Sequence, residues 1–220
     1  MMDIPTVLMW GFGIAVGLAI LVAIAASQFL KIVKQGTVLV KNGTGGTRVS
    51  FDSAWVYPVL HKMELMDISV KRIEIKRRGV DGLICKDNIR ADIEVAFFVR
   101  VNKTEEDVRK VAQFLGCDRA SDQTALMALF EPKFSEALKT VGKHFDFTEL
   151  YTERDKFREE ILRVIGQDLN GYILDDASID YLEQTPLELL NENNVLDAEG
   201  IKKITDLTSQ EQVRANLIRR

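Results

Sequence analysis

The chain has 220 residues, of which 46% are hydrophobic and 28% charged, and a net charge of −4 at pH 7. It contains no long basic block, which argues against nucleic acid as a partner. Its two cysteines, Cys85 and Cys117, are too few for a disulfide framework or a cysteine-rich metal site, so we expect buried free thiols, with a single disulfide as the alternative.

The stretch from Ile4 to Leu30 carries no charged side chain. Residues 7–26 provide about the 20 residues that a helix needs to cross the hydrocarbon of a bilayer. We therefore predict a transmembrane anchor within residues 1–35. A cleaved signal peptide would have a basic start, and a buried core helix would be shorter. Basic residues follow the apolar run and none precedes it, so the positive-inside tendency predicts a cytoplasmic body.

Two glycines four residues apart, Gly13 and Gly17, lie inside this apolar stretch. Small residues at this spacing let spanning helices approach one another closely, because association in lipid depends on packing. The pair therefore predicts a helix-packing face. The alternative is that it reflects only the general abundance of glycine in spanning helices.

Residues 36–103 have the period of two that is typical of β-strands. Thr37–Val40 and Thr47–Phe51 are predicted to form a hairpin. The glycines between them lack the Gly-Lys-Ser/Thr sequence that a phosphate-binding loop requires. Further short strands are expected between Ala54 and Lys76, and the clearest strand is Ile89–Val101. Short turns between successive strands predict an antiparallel or mixed sheet.

The most basic local cluster falls on one of these strands. It could face anionic lipid headgroups, where each charge contributes up to about 1 kcal/mol. The alternative is the solvated polar face of an edge strand. Its members, which are candidate headgroup contacts, are Lys71, Arg72, Lys76, Arg77 and Arg78.

Residues 104–185 change to the period of a helix and end on a returning strand. Thr104 is a predicted N-cap, and Pro132 predicts a kink or break in the second helix. The predicted order is three helices and then a strand, Tyr172–Leu182. The first helix is expected from Thr104 to Gly116 and the third from about Thr148 to Gly171. The second begins near Ser121 and has one apolar stripe, which consists of Leu126, Phe130, Phe134, Leu138 and Val141. Such an order is typical of an α+β fold.

Residues 186–220 are predicted to form a linker and the start of a coiled-coil helix. Ile201, Ile204 and Leu207 lie on one apolar stripe and are the candidate oligomer contacts. The apolar spacing is poor after Leu207, so this helix is expected to need partners or more chain.

We find no arrangement of residues that predicts catalysis, a cofactor or a metal. The two histidines, His61 and His144, are far apart in the sequence. The adjacent Asp175 and Asp176 would point to opposite faces of a strand, so they cannot act together on one substrate. A cysteine nucleophile is the minor alternative, because no base can be assigned to it. We therefore predict that the protein is not an enzyme.

Three segments together resemble a known family. They are residues 80–101, with a Cys-Lys-Asp sequence before an alternating strand, residues 193–200 at the start of the last helix, and residues 51–63 with the sequence Tyr-Pro-Val-Leu-His. Their order is similar to that in bacterial flotillins of the YqiK type, members of the stomatin–prohibitin–flotillin–HflK/C (SPFH, band 7) superfamily. The resemblance covers nearly the whole chain.

The resemblance implies a membrane anchor in residues 1–35, a β-rich SPFH subdomain in 36–103, an α/β SPFH subdomain in 104–185 and a coiled-coil helix that begins within 186–220. It implies a non-enzymatic scaffold of the cell inner membrane that assembles into large rings or cages and organises a membrane microdomain. The alternative is an adaptor that encloses and regulates a membrane protease or transporter. The implied partners are lipids, further copies of the chain, and a small NfeD-like membrane protein or a membrane protease. The family's long Ala/Glu-rich coiled coil would follow Arg220, so the sequence is expected to be part of a longer chain or a short variant.

Overall fold

The computed structural model describes residues 13–24, 30–43, 46–56, 61–166 and 168–219. Residues 13–24 are helical, here called α1, and their side chains are exposed. The predicted anchor extends beyond these residues on both sides, so its ends lie outside the described part. Within the described ranges, no helix combines the length and the apolar character needed to cross a membrane. The anchor therefore stays a prediction.

The chain forms two compact units that interleave along the sequence. The first consists of the described residues of 1–69 and 103–121, and the second of those of 70–102 and 122–220. The predicted subdomains, in contrast, are consecutive segments. That division stays a prediction.

Besides α1, the described part of the first unit contains five short strands and two helices. They are β1 (Leu30–Ile32), β2 (Thr37–Gly43), β3 (Gly46–Ser50), β4 (Ser53–Trp55), β5 (His61–Asp67), α2 (Glu105–Phe114) and α3 (Cys117–Ser121). A two-stranded ribbon pairs β1 with β4, and a second sheet has the order β3-β2-β5, with antiparallel pairing throughout. The predicted hairpin is thus confirmed as β2–β3. Helix α2 packs against β3, and α3 packs against β5.

Strand β2 is the centre of this unit because it is buried on both faces. Val38 and Val40 point to one face and are fully buried. Leu39 points to the other, where it packs with Val33 after β1 and Val56 after β4. The ribbon is therefore held to the sheet by a small apolar cluster, although it shares no backbone ladder with it.

The second unit is an antiparallel sheet with helices. Its elements are β6 (Lys71–Arg77), β7 (Leu83–Ile84), β8 (Arg90–Val101), α4 (Gln123–Gly142), α5 (Phe147–Thr152), α6 (Arg154–Ile165), β9 (Asp168–Leu169), β10 (Tyr172–Gln184) and α7 (Val195–Ile218). The strand order is β6-β8-β10-β9, and β7 also pairs with β8, which confirms the α+β class. Helix α4 packs on β6 and β7, and α6 packs on α4 and β10.

The core of this unit lies where the apolar stripe of α4 meets β8. Phe134 of α4 is fully buried, and its ring centroid lies 4.5 Å from that of Phe97 and 5.4 Å from that of Phe130. The predicted stripe of α4 is thus confirmed. The helix continues through Pro132, so no break occurs there. An interior proline costs about 3 kcal/mol, and burying Phe130 and Phe134 on either side can offset it, since a buried Phe contributes about 1.5–3 kcal/mol.

The prediction of a single helix from Thr148 to Gly171 is wrong. Two helices replace it, and the second ends at Gly166, whose φ of 78° is in the left-handed region. Asn170 and Gly171 then form the tight turn between β9 and β10, with φ values of 58° and 94°. An Asn-Gly pair is the usual signal for such a two-residue hairpin, and it was present in the sequence.

Candidate functional site

The β1–β4 ribbon carries an apolar surface that the rest of the described chain leaves uncovered. Leu30 lies directly opposite Trp55, and Ile32 is on the same face because it is two residues further along the strand. These side chains are 39%, 50% and 81% exposed, respectively. We call Leu30, Ile32 and Trp55 the apolar ribbon face. An indole ring has an apolar body and a polar N–H, which suits a membrane–water interface.

The helical residues of α1 precede this ribbon in the chain and are also exposed. Ile14, Leu18 and Leu21 are each more than half exposed. A Cβ placed on Gly13 or Gly17 would meet no atom within 4 Å. The residues that the structure describes therefore leave the predicted glycine face uncovered, and its role in self-association stays a prediction.

The predicted basic cluster is divided between the two faces of the sheet. On one face, Arg72 pairs with Asp180 of β10, and Arg78 lies 2.8 Å from Glu94 of β8. Lys76 lies 3.6 Å from the same Glu94 carboxylate. Arg72, Lys76 and Arg78 therefore have carboxylate partners on the sheet, which reduces the positive charge that this face offers to a headgroup.

Lys71 and Arg77 alternate with Arg72 and Lys76 along β6, so they lie on the opposite face of the strand. The buried Ile73 and Ile75 are on that same face. Arg77 is half-buried and donates a hydrogen bond to the hydroxyl of Ser135 on α4. Headgroup contact by this cluster stays a prediction. Arg77 differs from Arg72, Lys76 and Arg78 because its partner is a hydroxyl and not a carboxylate.

A buried ion pair attaches the start of α7 to the sheet. The Nη2 of Arg90 lies 2.7 Å from Oδ1 of Asp197, and both side chains are more than 90% buried. The Nη1 of Arg90 also donates to the carbonyls of Val80 and Gly82. The other carboxylate oxygen of Asp197 accepts from the backbone N–H of Asn191. Every charge in the pair therefore has further polar partners, as a buried ion pair needs.

Burial acts to raise the pKa of Asp197, but the hydrogen bonds from Arg90 and from the Asn191 backbone outweigh it. The pKa of this carboxyl is therefore below its ordinary value. The side chain stays ionised at neutral pH.

A close backbone contact continues the attachment one helical turn later. A Cβ on Gly200 would lie 2.4 Å from the carbonyl oxygen of Asn88, so only glycine fits between α7 and the turn after β7. The amide of Asn88 donates to the Glu199 carboxylate over 2.5 Å, and Lys203 lies 3.4 Å from Asp87. We call the contacts of Arg90, Asp197, Asn88 and Gly200 the α7 clasp.

Sequence reasoning did not identify the α7 clasp. A glycine inside a predicted helix was the available signal, since it often marks a close approach of another backbone. The partner of Asp197 had no comparable signal, because Arg90 is distant in sequence.

The structure separates the three candidate oligomer contacts of α7. Ile204 is only 6% exposed and packs within the second unit, and Ile201 is half-buried. Leu207 is 44% exposed, and Val213 and Leu217 beyond it are more exposed still. Beyond the α7 clasp, the exposed apolar residues of this helix therefore begin at Leu207.

The cysteines lack the surroundings of nucleophiles. Cys85 and Cys117 are free thiols and almost fully buried. Burial, with the nearby carboxylates of Asp87 and Asp146, raises the pKa of Cys85. Burial and a hydrogen bond to Glu64 raise the pKa of Cys117 to about 12. A reactive cysteine needs a lowered pKa, so neither thiol supports covalent chemistry.

The other predicted polar residues are placed separately. Asp175 pairs with Arg100 over 2.8 Å, whereas the Asp176 carboxylate lies 3.5 Å from Arg158 on α6. His144 is 3.6 Å from Glu160. His61 is the first residue of β5 in the other unit. In the ranges that the structure describes, no three potential metal ligands group together.

Comparison with known proteins gives a family match and two similar relatives. The sequence model of the SPFH domain / Band 7 family matches residues 31–215. The chain is 32% identical over 206 residues to the flotillin family inner membrane protein YqiK of Escherichia coli (strain K12), which covers 92% of the chain and 37% of that protein. It is 24% identical over 153 residues to the flotillin family inner membrane protein sll1021 of Synechocystis sp. (strain ATCC 27184 / PCC 6803 / Kazusa), covering 69% of the chain and 22% of that protein. The matched part is thus well under half of either relative's length.

Proposed function

Because this chain belongs to the SPFH domain / Band 7 family, we propose that it is a membrane scaffold without enzymatic activity. In this proposal it self-assembles into large ring- or cage-like oligomers that organise a patch of membrane. Its two relatives are named inner membrane proteins, which supports a location at the cell inner membrane. A single-pass topology with a cytoplasmic body is the further proposal, and it rests on the flanking charges.

The apolar ribbon face carries this proposal. Leu30, Ile32 and Trp55 are exposed. Leu30 is the last residue of the uncharged N-terminal stretch, and strand pairing places Trp55 opposite it. Full burial of a large apolar side chain contributes about 1.5–3 kcal/mol, so contact with lipid would stabilise this face substantially. A membrane surface next to the ribbon gives these side chains an apolar environment.

Tryptophan fluorescence tests this contact, because the chain contains only Trp10 and Trp55. A Trp10→Phe variant in vesicles leaves Trp55 as the only reporter. We expect brominated phosphatidylcholine to quench its emission and aqueous iodide to have little effect. The Trp55→Phe variant provides a matched reference, since it reports from the predicted anchor. Strong iodide quenching of Trp55 with no effect of the brominated lipid would contradict the proposed contact.

Assembly is supported by the exposed part of α7. Leu207, Val213 and Leu217 are exposed on a helix that extends beyond its attachment to the unit. Helices with uncovered apolar residues bury them against further helices. Native mass measurement with electron microscopy of the extracted protein tests this step. Closed particles of many copies would support a scaffold, and monomers would mean that these 220 residues do not assemble.

The adaptor function remains the second candidate. It would place a membrane protease, a transporter or a small NfeD-like membrane protein inside or beside the assembly. Purification from gently solubilised membranes separates the two candidates, because an adaptor should retain a stoichiometric membrane partner. A scaffold acting alone would retain only lipids and copies of itself.

A further inference from the structure

The second unit contains a cavity of about 510 Å³ between the last turns of α4 and the 3₁₀ turn at residues 79–81. This volume is within the range of ligand-binding pockets, about 300–1,000 Å³. Four of the lining side chains are Arg or Lys and two are carboxylates. The charged and polar residues used below are Arg77, Asp81, Arg90, Glu136, Lys139, Thr140 and Lys143.

Arg77 is the first of two cations in this cavity that lack a counter-ion. It is half-buried, and its hydrogen-bond partner is the neutral hydroxyl of Ser135. No carboxylate of the described chain lies within ion-pair distance of it, whereas Lys76 and Arg78 on either side both contact Glu94. A guanidinium has five N–H donors, so Arg77 keeps donors for a ligand.

Lys143 is the second such cation. It follows the last turn of α4 and has no carboxylate within 4 Å in the described part of the chain, so its charge is also unmatched. Lys139 is one turn earlier and lies 4.0 Å from Glu136. Thr140 is three residues before Lys143, so its hydroxyl is on the same side of the helix. One wall of the cavity therefore offers an unpaired ammonium and a hydroxyl.

Arg90, in contrast, does not need a ligand. Its charge is matched by Asp197, and its other donors bind backbone carbonyls. Asp81 and Glu136 add two negative charges to the lining, which disfavours ligands that carry several anionic groups. Arg77 and Lys143 carry two unmatched positive charges, Lys139 and Glu136 balance each other, and Asp81 removes one unit, so the lining keeps a net charge of +1. This charge suits one phosphate group and not several.

We propose that this cavity binds the phosphate group of a ligand with a single phosphomonoester. Arg77 would bind two phosphate oxygens through parallel N–H groups, a geometry for which a guanidinium is suited. Lys143 would provide the second charge, and Thr140 a hydroxyl donor. The phosphate comes either from a small soluble molecule or from a phosphomonoester lipid headgroup. This inference is independent of the proposed scaffold function.

Calorimetric titration of glycerol phosphate into the full chain in phosphatidylcholine nanodiscs tests the proposal. We expect saturable binding that weakens about tenfold or more in Arg77→Gln and in Lys143→Gln, since each substitution removes charge-assisted hydrogen bonds. Arg78→Gln is the matched control, because it removes a neighbouring cation that is already paired with Glu94. It should leave the affinity unchanged. Thermal unfolding of each variant shows whether the fold is intact, and Arg77→Lys replaces Arg77→Gln if the latter unfolds.

A second arm distinguishes the two sources of phosphate. Nanodiscs that contain phosphatidic acid should abolish glycerol phosphate binding if the headgroup occupies the cavity, and should leave it unchanged if the ligand is soluble.

Three results would overturn the proposal. They are the absence of binding to both phosphate sources, an equal loss in Arg78→Gln, and a Lys143→Gln variant that is less stable but binds normally. The last would mean that Lys143 only complements the negative end of α4.

Discussion

Arg90 of β8 and Asp197 of α7 are separated by 107 residues in the sequence and form a buried ion pair over 2.7 Å. The pair holds the start of α7 against the second unit, whereas α7 is exposed from residue 205 onwards. The position of the attached part therefore sets the direction of the exposed part. The direction of any assembly through the exposed part of α7 depends on it.

Replacement of Asp197 with Ala should detach the start of α7. The substitution leaves the Arg90 guanidinium buried without a counter-ion, which typically costs about 3–5 kcal/mol. Hydrogen exchange of residues 195–204 and the free energy of unfolding in urea measure the effect. The control is Arg214→Gln, which breaks an exposed ion pair with Glu211 on the same helix and should cost at most about 1 kcal/mol. Equal effects of the two variants would contradict the role of the clasp.

The contribution of Asp197 should depend on pH in one direction. Its pKa in the folded protein is below the ordinary value of 3.8, so the folded state binds the proton more weakly than the unfolded state. The contribution is therefore fully present above the ordinary pKa and is lost as the pH falls through the folded pKa. We expect the difference in unfolding free energy between the native chain and Asp197→Asn to narrow below about pH 4. A difference that widens on acidification would contradict this direction.

Gly200→Ala should destabilise the second unit, although the same change normally stabilises a helix by about 1 kcal/mol. The new Cβ would lie 2.4 Å from the backbone carbonyl oxygen of Asn88, and neither backbone can move without opening the clasp. We expect a loss of about 1–3 kcal/mol, which is typical of overpacking. Thermal unfolding measures this loss of stability, with the exposed Ser209→Ala variant of the same helix as the control. A Gly200→Ala variant as stable as that control would mean that α7 has room to shift.

Ile204 and Leu207 should respond differently to substitution. Ile204 is buried, so Ile204→Ala should lower the unfolding free energy by about 2–5 kcal/mol. Leu207→Lys changes a half-exposed position and should affect stability little, yet reduce particle mass if α7 assembles through this face. Particle mass by native electrophoresis and unfolding in urea separate the two effects. A normal particle mass in Leu207→Lys would move the assembly contact away from Leu207.

Both thiols should react slowly with a maleimide in the folded protein. Burial raises the pKa of Cys117 to about 12, so the reactive thiolate is scarce at about pH 7.5. Mass spectrometry should show rapid labelling only after unfolding in urea. A Ser209→Cys substitution in a Cys85→Ala, Cys117→Ala background gives the rate for an exposed thiol. Labelling of native Cys117 at that rate would contradict this prediction and would support Cys117 as a nucleophile.

The sequence alone predicted the features that depend on neighbouring residues. The alternation in residues 89–101 predicted β8, and the stripe that includes Phe130 and Phe134 predicted the buried face of α4. These patterns repeat with the period of the local backbone, so a short window of sequence contains the whole signal. The family resemblance was also present in such local segments and was confirmed by the match over residues 31–215.

Only the tertiary structure decided which side chains meet. Arg77 and Arg78 are adjacent in the sequence and were assigned to one basic cluster, yet one faces α4 and the other is paired with Glu94. The partner of Asp197 and the neighbour of Gly200 come from β8 and from the turn before it. Long-range pairing of this kind depends on strand register and helix docking, which arise from packing over the whole unit. No local period encodes them, and for this reason the clasp and the cavity are visible only in the folded chain.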